Sequence, residues 1–170
     1  MSDEMFDVVD ENDRVIGREE RAEVHRRGLR HRAVHVLVFN SRGEVFLQKR
    51  SMAKDTFPGA WDSSSSGHLC CGEEYDACAL RELHEEIGLV PAHPPERLFK
   101  LEACAETAQE HVWVYRCLSD GPFTLSPEEV ETGEWFDAKQ ITRWIDEKPR
   151  DFATAFPKIW RLYRNLAKEK

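Results

Sequence analysis

The chain has 170 residues, with 24 Lys and Arg against 32 Asp and Glu, which gives a formal net charge of −8 at pH 7. At 41% hydrophobic and 33% charged residues it is too apolar for disorder and long enough for one domain with its own core. The acidic surplus argues against a non-specific nucleic-acid binder, no run approaches the ~18 apolar residues of a membrane span, and the start MSDEMFDVVDEN is acidic where a secretory leader is basic.

In chain order, Phe6–Asp10 reads as a short strand and Glu11–Arg14 as a turn leading to Val15 and Ile16. The charged run Arg18–Arg27 reads as a helix closed by Gly28. Ala33–Phe39, apolar apart from His35, predicts a strand buried on both faces, and Asn40-Ser41-Arg42-Gly43 turns it into a partner strand, Glu44–Arg50. A loop with Phe57-Pro58-Gly59 precedes a polar strand at Trp61–Ser66. Glu74–Ile87 is helical: Ala77, Leu80, Leu83 and Ile87 fall at spacings of three and four, and Gly88 stands where a left-handed cap belongs. Leu98–Cys104 and His111–Leu118 read as antiparallel strands and Gly133–Phe136 as a shorter one. Ile141–Asp146 and Pro157–Lys168 read as helices, with Pro157 in a first turn that tolerates it. This order predicts a single α/β domain over residues 1–170, a mixed sheet between helices, with residues 1–30 as an N-terminal extension.

Five cysteines, Cys70, Cys71, Cys78, Cys104 and Cys117, are an odd number and read as reduced thiols of a cytoplasmic protein. A zinc site from His68, Cys70, Cys71 and Cys78 lacks the usual C-x2-4-C spacing. The tryptophans are mostly core candidates, although Trp61 beside Phe57 is placed to line a ligand pocket.

Chemistry concentrates in residues 67–89. Glu82, Glu85 and Glu86 at i, i+3 and i+4 share one face of the predicted helix near its last turn. Glu-rich helical faces are commonly just solvated. Here, however, the carboxylates repel one another at the negative end of the helix dipole, a penalty that a bound divalent cation would remove. Hard oxygen ligands suit magnesium or manganese. The surrounding residues set the pattern apart from a solvated face. Gly67, five residues, Glu73, seven residues, then Arg81-Glu82-Leu83-x-Glu85-Glu86-x-Gly88-Leu89 matches every fixed position of the Nudix box, so the chain resembles the Nudix hydrolase superfamily.

That resemblance implies an α/β/α sandwich that hydrolyses a nucleoside diphosphate derivative or a related organic pyrophosphate. It implies that Glu82, Glu85 and Glu86, with the Gly67 carbonyl, hold the divalent ions, that Glu82 or Glu85 is the general base, and that Arg81 orients a carboxylate such as Glu73. In the superfamily the base sometimes comes from a loop outside the box, and that alternative stays open. Substrate choice is expected in loops such as Ala103–Glu110 and Leu118–Glu131. A homodimer through the N-terminal strand region is a further expectation.

The flanks are similar to isopentenyl diphosphate isomerases, in Leu29-Arg30-His31-Arg32-Ala33, Gln48-Lys49-Arg50-Ser51-x-x-Lys54, Phe57-Pro58-Gly59-x-Trp61 and Gly67-His68. This similarity implies a second metal site from His25 or His31, with His68, Glu129 and Glu131, and diphosphate binding by Arg50 and Lys54. Read from the residues alone, Arg50 and Lys54 are equally solvated charges at a strand end, His31 is equally a satisfied core histidine, and His35 is structural. Two departures argue against isomerase chemistry: Ser65 stands in the run where the isomerases place a catalytic cysteine, and the box they have degraded is intact here. A non-catalytic nucleotide sensor is the remaining alternative, against which the complete carboxylate set speaks. Residues 67–89 hold six acids and one base, a net of −5, so most of the acidic surplus lies in the proposed cation site.

Overall fold

The computed structural model describes residues 4–169. Met5–Val9 (β1) and Val15–Glu20 (β2) form an antiparallel hairpin of their own, followed by the short helix Arg21–Arg27 (α1). The charged run read as one helix is therefore divided, with its first residues in β2 and only Arg21–Arg27 helical, ended by Gly28 at φ 61°. The cause is local: β2 is exposed along nearly all its length, so no apolar alternation announces it.

His31–Phe39 (β3) is the central strand, with Val34, Val36, Leu37 and Val38 fully buried. It runs parallel to Glu110–Leu118 (β8), in a register that sets His31 opposite Glu110 and Phe39 opposite Leu118. The Asn40–Gly43 turn returns the chain as Val45–Arg50 (β4), and the Asn40 carboxamide oxygen accepts the N–H groups of Arg42 and Glu44.

Trp61–Asp62 (β5) and Val130–Phe136 (β9) pair with β4, Ser65–His68 (β6) pairs with the first half of β3, and Glu96–Leu101 (β7) borders β8. The single polar strand expected at 61–66 is thus two short ones. Between them the Ser64 hydroxyl fills the gap where β3 and β4 part, accepting Val38 N–H and donating to the Phe46 carbonyl.

Tyr75–Ile87 (α2) covers one face of this seven-stranded mixed sheet, and Ala138–Glu147 (α3) and Ala155–Lys168 (α4) cover the other. The result is the α/β/α sandwich. Side-chain alternation along β3 builds both cores: Val34, Val36 and Val38 meet Leu83 and Ile87 of α2, while Ala33, Leu37 and Phe39 meet Ile141, Phe156 and Trp160. β6 has β3 as its only partner strand among the described residues. Its alternation sends Ser65 and Gly67 toward α2, and sends Ser66 and His68 to the side of Ala33 and His35, their partners across the ladder. No described helix is long and apolar enough to cross a membrane.

Candidate active site

The α2 carboxylates differ sharply in setting. Glu86 is 3% exposed; one oxygen accepts the Ser66 N–H at 2.8 Å and the Ser65 hydroxyl at 3.0 Å, and the other accepts the Gln48 amide at 2.9 Å. Glu82, largely buried, rests against Gly67 with no space for a β-carbon between them. Glu85 is more than half exposed.

Arg81 holds the group together. Its fork donates to both Glu73 oxygens at 2.8 and 2.9 Å, and it also reaches Glu82 at 2.7 Å, Glu85 at 3.1 Å and the His68 carbonyl at 3.0 Å. The expected Arg81–Glu73 pairing is therefore present in bidentate form.

Burial, and then the charge of Glu86, push the Glu82 carboxyl well above the usual range. Burial raises Glu86 as well, against hydrogen bonds from Gln48, Ser66 and Ser65 that favour its anion. Two adjacent buried carboxylates cannot both ionise without compensating positive charge, and the donor set is all oxygen. An all-oxygen donor set of this kind suits a hard divalent cation, and Glu82, Glu85, Glu86 and the Gly67 carbonyl are the groups that could hold it, the three carboxylates being more spread than the histidines His25, His31 and His68.

These residues line one wall of a cavity of about 180 Å³. Arg50 and Lys54 both line it. Arg50 donates to the Thr56 carbonyl at 2.9 and 3.0 Å and lies 3.6 Å from Asp62, while Lys54 pairs with Glu129. From the first substrate loop come Glu106, Thr107, Ala108 and Glu110; of Leu118–Glu131, only Glu129 lines the cavity among the described residues. Phe57 stands in the lining at φ 49°, a costly backbone region for a bulky side chain. Trp61 instead packs against Phe136 and Trp144, outside the lining.

His25, His31 and His68 converge, each offering a ring nitrogen within 4.8 Å of the others, and no other group of three such ligands does so among the described residues. His31 Nδ1 donates to the Leu29 carbonyl at 2.8 Å, which leaves Nε2 with the lone pair. That Nε2 is buried without a hydrogen-bond partner, 3.5 Å from Glu110, and Glu110 also meets His68 Nε2 at 2.8 Å. Burial and the neighbouring imidazoles lower His25 to about 4, and burial lowers His68. Burial works against the Glu110 anion, but His68 holds the carboxyl well below its usual range.

The two glutamates expected with these histidines do not join them. Glu131 pairs with Lys49 at 3.2 Å and is absent from the cavity lining, because β9 pairs with β4 whereas the histidines gather beside β8. Their place is taken by Glu110, which no local spacing marks; only the β3–β8 register brings it beside His31. His25 joins His31 rather than replacing it, so that both N-terminal choices meet at the cluster. The cysteines are all free, and none lines the cavity.

A family model described as the NUDIX domain matches residues 29–156. An uncharacterized Nudix hydrolase of Yersinia pestis is 36% identical over 167 residues, covering 95% of this chain and 87% of its own. An isopentenyl-diphosphate Delta-isomerase of Serratia proteamaculans is 34% identical over 164 residues, 94% of this chain and 90% of its own. The crystal structure of DR0079 from Deinococcus radiodurans has a TM-score of 0.80 at 28% identity, covering 95% of this chain and 98% of its own. The NUDIX domain of Shewanella oneidensis NrtR, complexed with ADP ribose, has a TM-score of 0.64 at 17% identity, over 88% and 99% of the two chains. At that identity the likeness is one of fold.

Proposed function

Since the chain belongs to the Nudix hydrolase family, we propose that it is a metal-dependent hydrolase cleaving the pyrophosphate bond of a nucleoside diphosphate derivative or a related organic pyrophosphate. The observation that carries this reading is the buried pair Glu82 and Glu86 on the wall of the cavity, which Arg81 neutralises only in part and to which a further cation would add the missing charge. When bound, a divalent ion supplies positive charge to the bridging phosphates and lowers the pKa of the attacking water.

The chain's own residues do the rest. Glu82 or Glu85 takes the proton of that water; Glu85 is the more accessible and Glu82 the more rigidly seated. Arg81, anchored on Glu73, fixes both of them by hydrogen bonds. Lys54 and Arg50, which line the same cavity, offer positive charge to a substrate phosphate.

The test is a hydrolysis screen over nucleotide derivatives with magnesium and with manganese. Glu85→Gln and Glu86→Gln should abolish turnover while the fold is kept, and full metal-dependent turnover in both would end the reading. Binding without hydrolysis of any pyrophosphate would instead favour the nucleotide sensor. We propose a reduced, cytoplasmic setting for the five free thiols, a small-molecule substrate rather than nucleic acid or membrane, and a homodimer through the N-terminal strands, which a sedimentation measurement decides.

One observation favours a second cation site: the buried, unpartnered His31 Nε2 beside His25, His68 and Glu110. Neutral imidazoles and one carboxylate suit zinc or manganese. The isomerase alternative finds no thiol in the cavity, and the Ser65 hydroxyl, fully buried, is committed to Glu86. Incubation with isopentenyl diphosphate should show no proton exchange at carbon.

A further inference from the structure

His35 holds a position that the sequence assigns to the core, yet its surroundings are polar. It lies between Ala33 and Leu37 on the α4 side of β3 and is 5% exposed. Its Nδ1 is 2.7 Å from the Ser63 hydroxyl and 3.6 Å from an Asp62 carboxylate oxygen. Asp62, 3% exposed, accepts the Ser63 N–H at 2.7 Å and stands 3.6 Å from the Arg50 guanidinium. This buried chain of groups fixes the ring, and a carboxylate beside Nδ1 favours the tautomer protonated there, so that Nε2 carries the lone pair. Among the described residues Nε2 has no protein partner, and it is not among the polar atoms sealed from solvent without one, while His35 itself lines the cavity. One nitrogen is locked by Ser63 and Asp62, and the other is left without a protein partner on a side chain that lines the cavity.

The edge strand β6 relates this nitrogen to the carboxylates. Ser66, opposite His35, faces His35's side, while its own N–H and the neighbouring Ser65 hold Glu86 on the other. A substrate with its bridging phosphates at Glu82 and Glu86 that passes over this edge brings its organic part to His35.

We infer that His35 is a substrate-contact residue that accepts a hydrogen bond from a hydroxyl or amino group of the substrate's organic part. It thereby selects a polar part, such as the ribose or base of a nucleoside, over an alkyl chain. This rests on the pyrophosphohydrolase reading above.

The test compares the wild type with His35→Asn and His35→Gln. Asn reproduces the Nδ1 side and keeps the Ser63–Asp62 contacts; Gln reaches toward the Nε2 position and gives those contacts up. With the best nucleoside diphosphate derivative of the screen, His35→Asn should raise KM about tenfold with kcat little changed, and His35→Gln should recover part of the loss. The inhibition constant of inorganic pyrophosphate, which has no organic part, should stay the same. An unchanged KM in His35→Asn overturns the assignment, and so does an equal shift for substrate and pyrophosphate. If the wild type hydrolyses nothing, the parent reading fails and calorimetry with ADP and magnesium still decides the matter. About tenfold weaker binding in His35→Asn supports the contact; equal binding, or none to the wild type, overturns it.

Discussion

Gly67 lies so close beneath the Glu82 carboxylate that a β-carbon at position 67 would overlap it. The obstacle is the far end of a flexible side chain, so Gly67→Ala should fold and move Glu82 instead of breaking the strand. The expected outcome is a melting temperature within a few degrees of wild type and a kcat lower by about 10²- to 10³-fold. Steady-state kinetics beside a thermal melt check this; wild-type turnover would show that Glu82 need not be held against the strand.

Arg81→Lys removes the fork that grips Glu73 while keeping the charge. One ammonium cannot reproduce five contacts to Glu73, Glu82, Glu85 and the His68 carbonyl. We expect a loss of about 2 kcal/mol, below that of a fully buried pair because Arg81 is partly exposed. Activity should fall along with stability. Urea unfolding reads the first effect, and rescue of turnover by raised magnesium would show that ordering the carboxylates was the main role.

The raised Glu82 and Glu86 make a pH prediction. A carboxyl whose native pKa lies above its unfolded value stabilises the fold fully below the unfolded value, and that contribution is lost as pH rises through the native one. Metal-free protein should therefore melt lower as pH rises from about 6.5 to about 8, and magnesium should raise the melting temperature more at pH 8 than at pH 6. Glu82→Gln should flatten the metal-free profile and shrink the magnesium effect. A magnesium shift independent of pH would contradict the account.

His25 acts in the opposite direction. Its pKa is lowered to about 4 by burial and by His68 and His31, so its contribution is present above the unfolded value near 6.5 and lost as pH falls toward 4. His25→Phe should lessen the acid sensitivity in that window. If the cluster holds a cation, cobalt(II) should give a visible absorption band that His31→Ala abolishes and Glu85→Gln leaves intact. A band lost only in Glu85→Gln would place the ion at the α2 carboxylates.

Ser65→Cys probes the isomerase alternative. The hydroxyl is fully buried and donates to Glu86, so a thiol there should weaken the carboxylate's setting and confer no proton exchange on isopentenyl diphosphate. Exchange gained by this one change would reverse that conclusion.

What could be read from the chain alone follows the range of the signal. α2 and its three glutamates are local, set by helical spacing and by a glycine cap whose φ is 67°. β3 declares itself by a buried apolar run. β2 does not, because an exposed, charged strand looks like a charged helix until its partner is known. Glu110 was invisible for the same kind of reason: its role depends on which residue of β3 it faces, and pairing between distant strands leaves no trace in local spacing. Glu129 and Glu131, taken from a resemblance, meet lysines because β9 joins the sheet at β4. His35 reads as structural from its apolar strand and is indeed buried; that this stretch of β3 also borders a cavity follows from the fold alone.

The imidazole cluster has a consequence for how the molecule comes apart. His25 arrives from α1, ahead of the matched segment that begins at residue 29, whereas His31 and His68 belong to the sheet. Between β1 and β2, Asp13 accepts Arg32, Lys100 and the Tyr75 hydroxyl. The hairpin and α1 are thus joined to the body along a seam that includes these ionic contacts, the Asp7–Gly72 and Asp10–His111 hydrogen bonds and, at α1, an imidazole cluster able to take a ligand. Loading that cluster with a cation would clamp α1 to the sheet without touching the box glutamates, and the seam's resistance to protease would report on cation supply.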